Sequence, residues 1–477
     1  MNQVSWKDYE GVEGFGASTQ QELADLNKAL AAGQDINPPG SAVAGDGFAM
    51  RVESLERTMK NVTFRMENLK LYKALPKLAA YNTVEEHNEI SSYGQNVDAG
   101  FISEGDLPGE DDSIYERKFA IVKYLGTTRR VTHVMSLVKP AHGNIIAQET
   151  VNGTMHLLRV LEQALFYGNS DLSALQFDGY EKLIADNSPA TNIIDLRGKP
   201  LSEDYLTDGC LTASDAPNYG RITDLHAGPK VIADLVKSFY PKERHSTLDM
   251  GPNHMIGFGL KGFTSQSGDV MFNDNVFITD GGAPNVAAVG DAAKRPGTPT
   301  ISTGATTPVD AASQFAADDA GDYFYSVVAC NRYGRSMAVA VDVAAIAIAA
   351  GDKMTFGVTP GGATSVEWYE LYRTAKGGAV GSQRRILRVK NTAGAGAQTI
   401  EDLNANLPFC SSAFMFQQNL ENMSLKQLAP MLMIPLATVD SSIRWMQLLY
   451  CVPVLYTPGK NILFKNVGRA QGYVGAP

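Results

Sequence analysis

The segment between residues 95 and 130 constrains the fold of this 477-residue chain more than any other, because its charges are separated by sign. Residues 95–112 contain six acids and no base, and residues 117–130 contain five bases and no acid. Apolar and β-branched stretches at 114–125 and 131–138 predict strands. Two strands that extend from a domain in this way, called the excursion below, are not stable alone in water. We therefore expect the excursion to lie on another surface.

Complementary charge at an interface sets register and the choice of partner. The split charge therefore predicts that the excursion contacts a neighbouring subunit. An alternative is a solvated acidic loop that pairs with its own basic limb. The candidate intersubunit residues are Glu104, Asp106, Glu110, Asp111, Asp112, Arg117, Lys118, Arg129 and Arg130.

Helical patterns lie on both sides of the excursion. A capping-box sequence before Leu23 and apolar residues spaced three and four apart from Val52 to Leu69 predict two helices, and residues 1–75 together predict an extended arm. The longest pattern, at residues 144–167, predicts a helix of roughly 36 Å that ends at Gly168. A shorter helix, with Pro229 near its first turn, is predicted at residues 229–239.

Residues 295–408 differ from the rest of the chain, because they are rich in Gly, Ala and Thr. Their strand patterns are short and bounded by turn residues, which is typical of an antiparallel sandwich of roughly 100 residues. Apolar strand patterns also precede and follow this region, so we expect it to interrupt an outer domain. The patterns inside it lie at residues 323–330, 337–343, 354–358, 366–373 and 385–389, and those outside it at 270–278, 443–455 and 461–467.

The sequence offers little support for catalysis or for a cofactor. A net charge of −10 disfavours a dedicated DNA binder. The GxGxxG match at residues 257–262 is followed by a strand pattern, whereas a dinucleotide site needs a helix there. No HExxH pair and no apolar run of about 20 residues occurs, so we expect no metal, no catalytic residues and no membrane span. Four cysteines without CxxC spacing are expected to be reduced and buried: Cys210, Cys330, Cys410 and Cys451.

The order of an arm, a charged β excursion, a long helix, a mixed domain and apolar closing strands resembles the major capsid proteins of tailed bacteriophages, which have the Hong Kong 97-type coat fold. Four segments carry the likeness, among them LKLYKALPKLAAYNTVEEHNEISSYG at 69–94 and HAGPKVIADLVKSF at 226–239. The others are residues 267–279 and 444–467. Inside the interrupting region, GDYFYSVVACNRYGRSMAVAV resembles an immunoglobulin-like or fibronectin-like domain.

This resemblance implies an α+β fold of the Hong Kong 97 type with an inserted all-β, Ig-like sandwich. In that sandwich Tyr323, Tyr325 and Val327 would point inward, with Tyr369 and Leu371 opposite them. The implied domains are an N-terminal arm at 1–75, an extended β loop at 76–138, peripheral and axial core domains at 139–294 and 409–477, and the sandwich at 295–408.

The implied function is that of a non-enzymatic coat protein without cofactors. It would assemble in the host cytoplasm as homo-hexamers and homo-pentamers into an icosahedral shell, the virion capsid, around double-stranded DNA that it does not read by sequence. Portal, scaffolding and decoration proteins are the expected further partners. Two alternatives remain open: an encapsulin-like nanocompartment shell and, from another class, an Ig-like surface adhesin.

Overall fold

A computed structural model describes residues 62–94, 101–107, 109–138, 143–239, 260–308 and 310–470. The first predicted arm helix and most of the second lie outside these residues. Nearly everything described belongs to one compact unit, which comprises Thr63–Ser136 and the chain from Ile146 onward, and the description below concerns that unit. The described residues form both helices and strands, so the predicted α+β class is confirmed.

The α-helices of the described chain are numbered α1 to α6. They are Lys70–Ala74, His133–Leu137, Ile145–Tyr167, Tyr180–Asn187, Glu203–Ser214 and Pro229–Phe239.

The strands of the described chain are numbered β1 to β24. They are Lys77–Ala79, Val84–Ser92, Ile114–Ile121, Lys123–Thr132, Ile193–Asp195, Asp224–Ala227, Gly262–Ser265, Gly268–Asp274, Val289–Gly290, Gly297–Ile301, Ala305–Thr307, Gly321–Tyr323, Tyr325–Asn331, Gly334–Arg335, Val339–Ala340, Ile346–Ile348, Lys353–Gly361, Trp368–Arg373, Arg384–Lys390, Gln398–Asp402, Ser411–Phe416, Met423–Pro435, Ser442–Leu455 and Ile462–Val467.

The long helix predicted at residues 144–167 is confirmed as α3, and the one predicted at 229–239 is confirmed as α6. The apolar stripe of α3 is buried only in its C-terminal half, where Leu158, Leu161 and Leu165 enter the core. Val151, in the N-terminal half, is 57% exposed. The apolar contacts of the helix with the core are therefore made by its last three turns.

Two predictions of local structure are wrong. Residues 131–138 are not a strand throughout, because β4 ends at Thr132, where its pairing with β23 ends at Ser442, and α2 begins directly afterwards. The predicted Val52–Leu69 helix does not reach Leu69, because the described residues before Met66 are not helical and a short 3-10 turn follows.

A buried carboxylate on α3 explains why a new helix begins at Lys70. Glu162 is fully buried and accepts hydrogen bonds from the backbone N–H groups of Leu71 and Tyr72, both at 2.9 Å, and from Asn275 Nδ2 at 2.7 Å. These bonds satisfy N–H groups that a helix start leaves without partners. Glu162 thereby fixes the root of the N-terminal segment to α3.

Two sheets form the body of the molecule. One has the order β1-β22-β23-β4, and α3 contacts it where Gln447 Nε2 donates to the Thr150 carbonyl at 2.8 Å. The other is a mixed sheet with the order β5-β24-β21-β6-β8-β7, and residues of α5 and α6 share its apolar core. Gly262 opens β7, which pairs with β8 as a hairpin, so the strand expected after the GxGxxG match is confirmed.

The sandwich region leaves and re-enters the body at adjacent places. Strands β8 and β21 both flank β6, and the chain between them forms separate antiparallel sheets. One sheet has the order β19-β18-β13-β14-β9, a second is built on β17, and β12 pairs with β16 in a third. Tyr323, Tyr325 and Val327 point inward as the resemblance implied. Tyr369 and Leu371 are not opposite them, because β18 pairs with β13 in the same sheet, and the facing core residues are Met354, Phe356, Val358 and Ile400.

Candidate assembly surface

The excursion begins with the hairpin of β2 and β3. Its antiparallel register pairs Val84 with Ile121 and Ile90 with Tyr115. Directly paired residues share a face, and side chains alternate between faces along each strand. The hairpin therefore has two distinct faces, which we call the inner and the outer face.

The inner face carries Glu85, His87, Glu89 and Lys118. Lys118 Nζ lies 2.7 Å from Glu89 Oε2, and His87 Nε2 lies 3.1 Å from Glu89 Oε1. The His87 ring packs edge-on against Tyr456 of the body with 5.0 Å between ring centroids. Lys426, on β22, reaches Glu85 at 3.6 Å. The inner face is thus the one that contacts the body.

The outer face carries five apolar side chains and leaves them bare, and it also carries Glu86, Asn88 and Arg117. A half-covered antiparallel sheet usually packs its apolar residues, whereas these five are solvated. Covering a large apolar side chain contributes about 1.5–3 kcal/mol. A group of exposed apolar side chains of this size marks an interaction site. The exposed fractions are 42% for Val84, 53% for Ile90, 68% for Tyr115, 68% for Phe119 and 46% for Ile121.

A second exposed apolar region lies where β22 turns into β23. Met433, Val439 and Ile443 are exposed there, and Val439 is the most exposed of them. The start of α2 lies beside this turn, because the His133 N–H donates to the Ser441 carbonyl at 2.9 Å, and Val134 is exposed as well. The described residues therefore present bare apolar side chains both on the hairpin and at this turn of the body.

The predicted basic residues each lie beside an acid of the same chain. Arg117 Nη1 is 3.4 Å from Glu86, and Lys118 pairs with Glu89. The two arginines of β4 lie on the body sheet. Arg129 Nη1 is 3.5 Å from Glu149, and Arg130 Nη1 is 3.9 Å from Asp440.

The predicted acidic residues lie apart from those bases. Among the described residues, Glu104, Asp106, Glu110 and Asp112 form no ion pair, and all four are exposed. The Asp106 carboxylate accepts the Leu107 N–H at 2.9 Å. Asp111 is held differently, because its carboxylate lies directly over Gly94, where any Cβ would meet it at 2.5 Å. The structure therefore does not bring the acidic and basic limbs together.

Sequence reasoning missed the five outer-face residues. Each sits in an alternating pattern, which predicts two faces but not which of them is covered. The available signal was Glu85, His87 and Glu89, which recur at every second position of Val84–Ser92, since charges on one face of a two-stranded hairpin can pair across it.

The described residues contain no cluster of three His, Cys, Asp or Glu side chains placed to hold a metal ion. Their four cysteines are free thiols, three of them buried and Cys410 half-buried. No helix within the described ranges is both long and apolar enough to cross a membrane.

The chain matches known proteins along almost its whole length. It is 25% identical over 472 residues to the major capsid protein of Staphylococcus phage K, and the match covers 94% of this chain and 97% of that protein. The predicted resemblance to major capsid proteins of phages is confirmed by this match, and the chain is their homologue along almost its whole length. No family model matches the chain.

Solved structures give weaker likenesses. The capsid of a native GTA particle aligns with a TM-score of 0.46 and 9% identity, over 90% of this chain and 99% of that chain. The SrpI encapsulin of Synechococcus elongatus PCC 7942 aligns with a TM-score of 0.39 and 11% identity, over 90% of this chain and 97% of that one. Likenesses of this degree carry no functional argument.

Proposed function

We propose that this chain is the major coat protein of a tailed-phage virion and assembles with copies of itself, as hexamers and pentamers, into an icosahedral shell around double-stranded DNA. The observation that carries the proposal is the β2–β3 hairpin, because the described part of the chain leaves five apolar side chains of its outer face uncovered. Homology to phage major capsid proteins over 94% of the chain supports the same function.

A neighbouring subunit would have to cover the exposed apolar side chains of the outer face. A specific interface buries roughly 1,000 Å² or more in total. An excursion laid across a neighbouring copy would cover the outer face and would place the unpaired acids Glu104, Glu110 and Asp112 against that copy. The arginines Arg129 and Arg130 would act at the same kind of contact only after release from Glu149 and Asp440.

The domain layout proposed from the sequence fits this function. An inserted Ig-like sandwich at 295–408 would leave the tiling surfaces to the arm at 1–75, the extended loop at 76–138 and the core at 139–294 and 409–477. The flanking of β6 by both β8 and β21 supports an insertion, because the chain departs and returns at neighbouring strands.

The shell would enclose DNA without binding it tightly. A net charge of −10 opposes tight binding to phosphates, which depends on clustered Lys and Arg. Portal, scaffolding and decoration proteins are the further partners that a DNA-filled shell calls for. We propose no enzymatic role and no cofactor for the chain.

Negative-stain microscopy of the expressed full chain tests the proposal. Closed particles of uniform size are the expected result, and a monodisperse monomer at high concentration would contradict it. Nuclease-protected double-stranded DNA in particles from phage-infected cells separates a virion coat from an encapsulin-like shell, whose cargo would be protein.

A further inference from the structure

A cavity of about 350 Å³ lies in the seam between the sandwich and the body. Strand β19 forms its sandwich side, and the end of α3, the start of α4 and strand β24 form its body side. We call it the seam cavity. The residues that matter here are Tyr167, Glu181, Lys182, Arg385, Arg388 and Lys465.

The charges on the wall of the seam cavity are mostly positive. Four cations and one carboxylate, that of Glu181, line it. The acids that neutralise the cations lie outside the lining. Glu370, 1% exposed, is shared by Arg335 at 3.2 Å, Arg385 at 3.3 Å and Arg388 at 3.5 Å.

The two lysines of the wall differ in their partners. Lys182 is fully paired, with Asp171 at 2.6 Å and Asp178 at 3.1 Å. Lys465 has no carboxylate within ion-pair distance among the described residues, and its charge acts on Glu181 from farther away. Positive charge therefore remains at the surface of the cavity after the internal pairs are made.

A buried hydroxyl also lacks a partner there. Tyr167 Oη is inaccessible to solvent and forms no hydrogen bond of ordinary geometry with the described residues, although Ser412 is nearby. The Ser412 hydroxyl donates instead to Glu181 at 3.1 Å. A buried donor without an acceptor costs about 1–3 kcal/mol. An acceptor atom in the cavity would remove that cost.

Burial shifts the pKa values of two groups on the wall so that the neutral form of each is favoured. It raises the pKa of Glu181, which favours the neutral acid and weakens its repulsion of an anion. Burial, reinforced by the charge of Arg385, lowers the pKa of Arg388 to about 10. Both shifts come first from burial, which disfavours the charged form of each group.

We propose that the seam cavity binds a small oxyanion of the phosphate class, held by Arg385, Arg388 and Lys465 with Tyr167 donating its hydroxyl, and that the bound anion fastens the sandwich to the body. Guanidinium groups suit the planar, two-point recognition of phosphate oxygens. The cavity has the volume of a small-molecule site. The anion would bridge β19 on one side and β24 on the other.

Inorganic phosphate is the probe for this site. Isothermal titration of the full-length subunit with phosphate, at constant ionic strength set with chloride, should show saturable binding with one site per chain. Phosphate should also raise the melting temperature more than chloride of the same ionic strength does. An equal rise in both salts would mean screening only and would overturn the proposal.

Lys465→Met is the decisive variant, because Lys465 holds no carboxylate and its loss leaves no buried acid unpaired. We expect phosphate affinity to fall at least about tenfold, the usual loss for one charge-assisted contact. Arg384→Met is the matched control. Arg384 neighbours Arg385 on β19 but lies over the Phe409 ring at 4.8 Å, outside the lining.

The outcomes separate this proposal from the one on assembly. Unchanged phosphate affinity in Lys465→Met, with the near-ultraviolet circular dichroism of the parent chain, would overturn the anion site while leaving shell formation unaffected. Equal losses in Lys465→Met and Arg384→Met would also overturn it, because the effect would then follow net charge rather than position.

Discussion

The excursion and the sandwich are both built from short antiparallel strands, yet they place their side chains in opposite ways. The sandwich encloses its apolar residues, and Tyr369, Leu371 and Val327 are fully buried there. The β2–β3 hairpin turns five apolar residues to solvent and the charges of Glu85, Glu89 and Lys118 to the body. One region is complete within a single chain, and the other has a face that only another molecule can cover.

The contrast shows that exposed apolar area has to be judged together with what lies on the opposite face. Isolated exposed apolar residues are common on any protein surface. In the hairpin, charge contacts the body while five neighbouring apolar side chains stay bare. The predictions below test whether this difference separates assembly from folding.

The largest effect is expected from Tyr115→Glu combined with Phe119→Glu on the outer face. Two carboxylates at the centre of an apolar interface should reduce the assembled fraction at least about tenfold, since central aromatic anchors each contribute about 2 kcal/mol or more. Particle counts by microscopy and sedimentation measure this. The subunit should melt at the parent temperature, because neither side chain is packed.

The matched control is Val343→Glu combined with Val380→Glu, which places two acids on exposed apolar positions of the sandwich. Shells should form normally from this variant. If the sandwich pair blocked assembly as strongly as the hairpin pair, the proposed division between the two regions would be wrong.

Arg373→Met should have the next largest effect, and on folding instead of assembly. Arg373 is fully buried, lies 2.6 Å from Asp402, and packs against the rings of Phe315 and Tyr323. Its loss leaves the buried carboxylate of Asp402 without its cation, which costs about 3–5 kcal/mol of stability. Denaturant unfolding should show this loss, whereas Arg332→Met, at an exposed position, should change stability by less than about 1 kcal/mol.

Acid should weaken the body through His226. This side chain is fully buried between strands β21 and β8, and burial lowers its pKa to about 3. The unfolded chain binds the proton near pH 6.5 and the folded chain does not, so stability is complete above pH 6.5 and falls as the pH drops towards 3. We expect a loss of about 2 kcal/mol at pH 5 from this residue.

The slope of the free energy of unfolding against pH, measured between pH 5 and 7.5, tests this prediction. His226→Gln and His226→Leu should both flatten it, whatever their absolute stabilities. A slope equal to that of the parent chain in both variants would show that another group is responsible.

The smallest effect is expected from Glu110→Gln combined with Asp112→Asn. Rim charges act on association rate and salt dependence more than on affinity. Assembly should change in rate by a few fold, with a weaker dependence on ionic strength, as light scattering would show. Asp318→Asn combined with Asp322→Asn removes the same charge from the sandwich and should leave both quantities unchanged.

Strong local patterns explain what the sequence predicted correctly. The long helix, the helix at Pro229–Phe239 and the strand at Ser442–Leu455 carry many apolar residues at one period. Residues 131–138 were misassigned because a β-branched start, Val131–Thr132, outweighed the helical turn that follows. Local composition cannot show where the pairing partner of a strand ends.

Such patterns predict neither which face of the hairpin is covered nor the seam cavity. Which face of β2 is covered depends on Tyr456 and Lys426, more than 300 residues away along the chain. The seam cavity joins Tyr167, Glu181, Arg388 and Lys465, which come from four separate elements. Only the folded chain brings these groups together.

The carboxylate of Glu162 has a mechanical consequence. Because it holds the N–H groups of Leu71 and Tyr72 and the amide of Asn275 at one point, the residues that precede Leu71 leave from a fixed anchorage and not from a loose hinge. A pull on that leading segment would therefore load the long helix directly. Tension between copies that acted on this segment would reach α3 at Glu162.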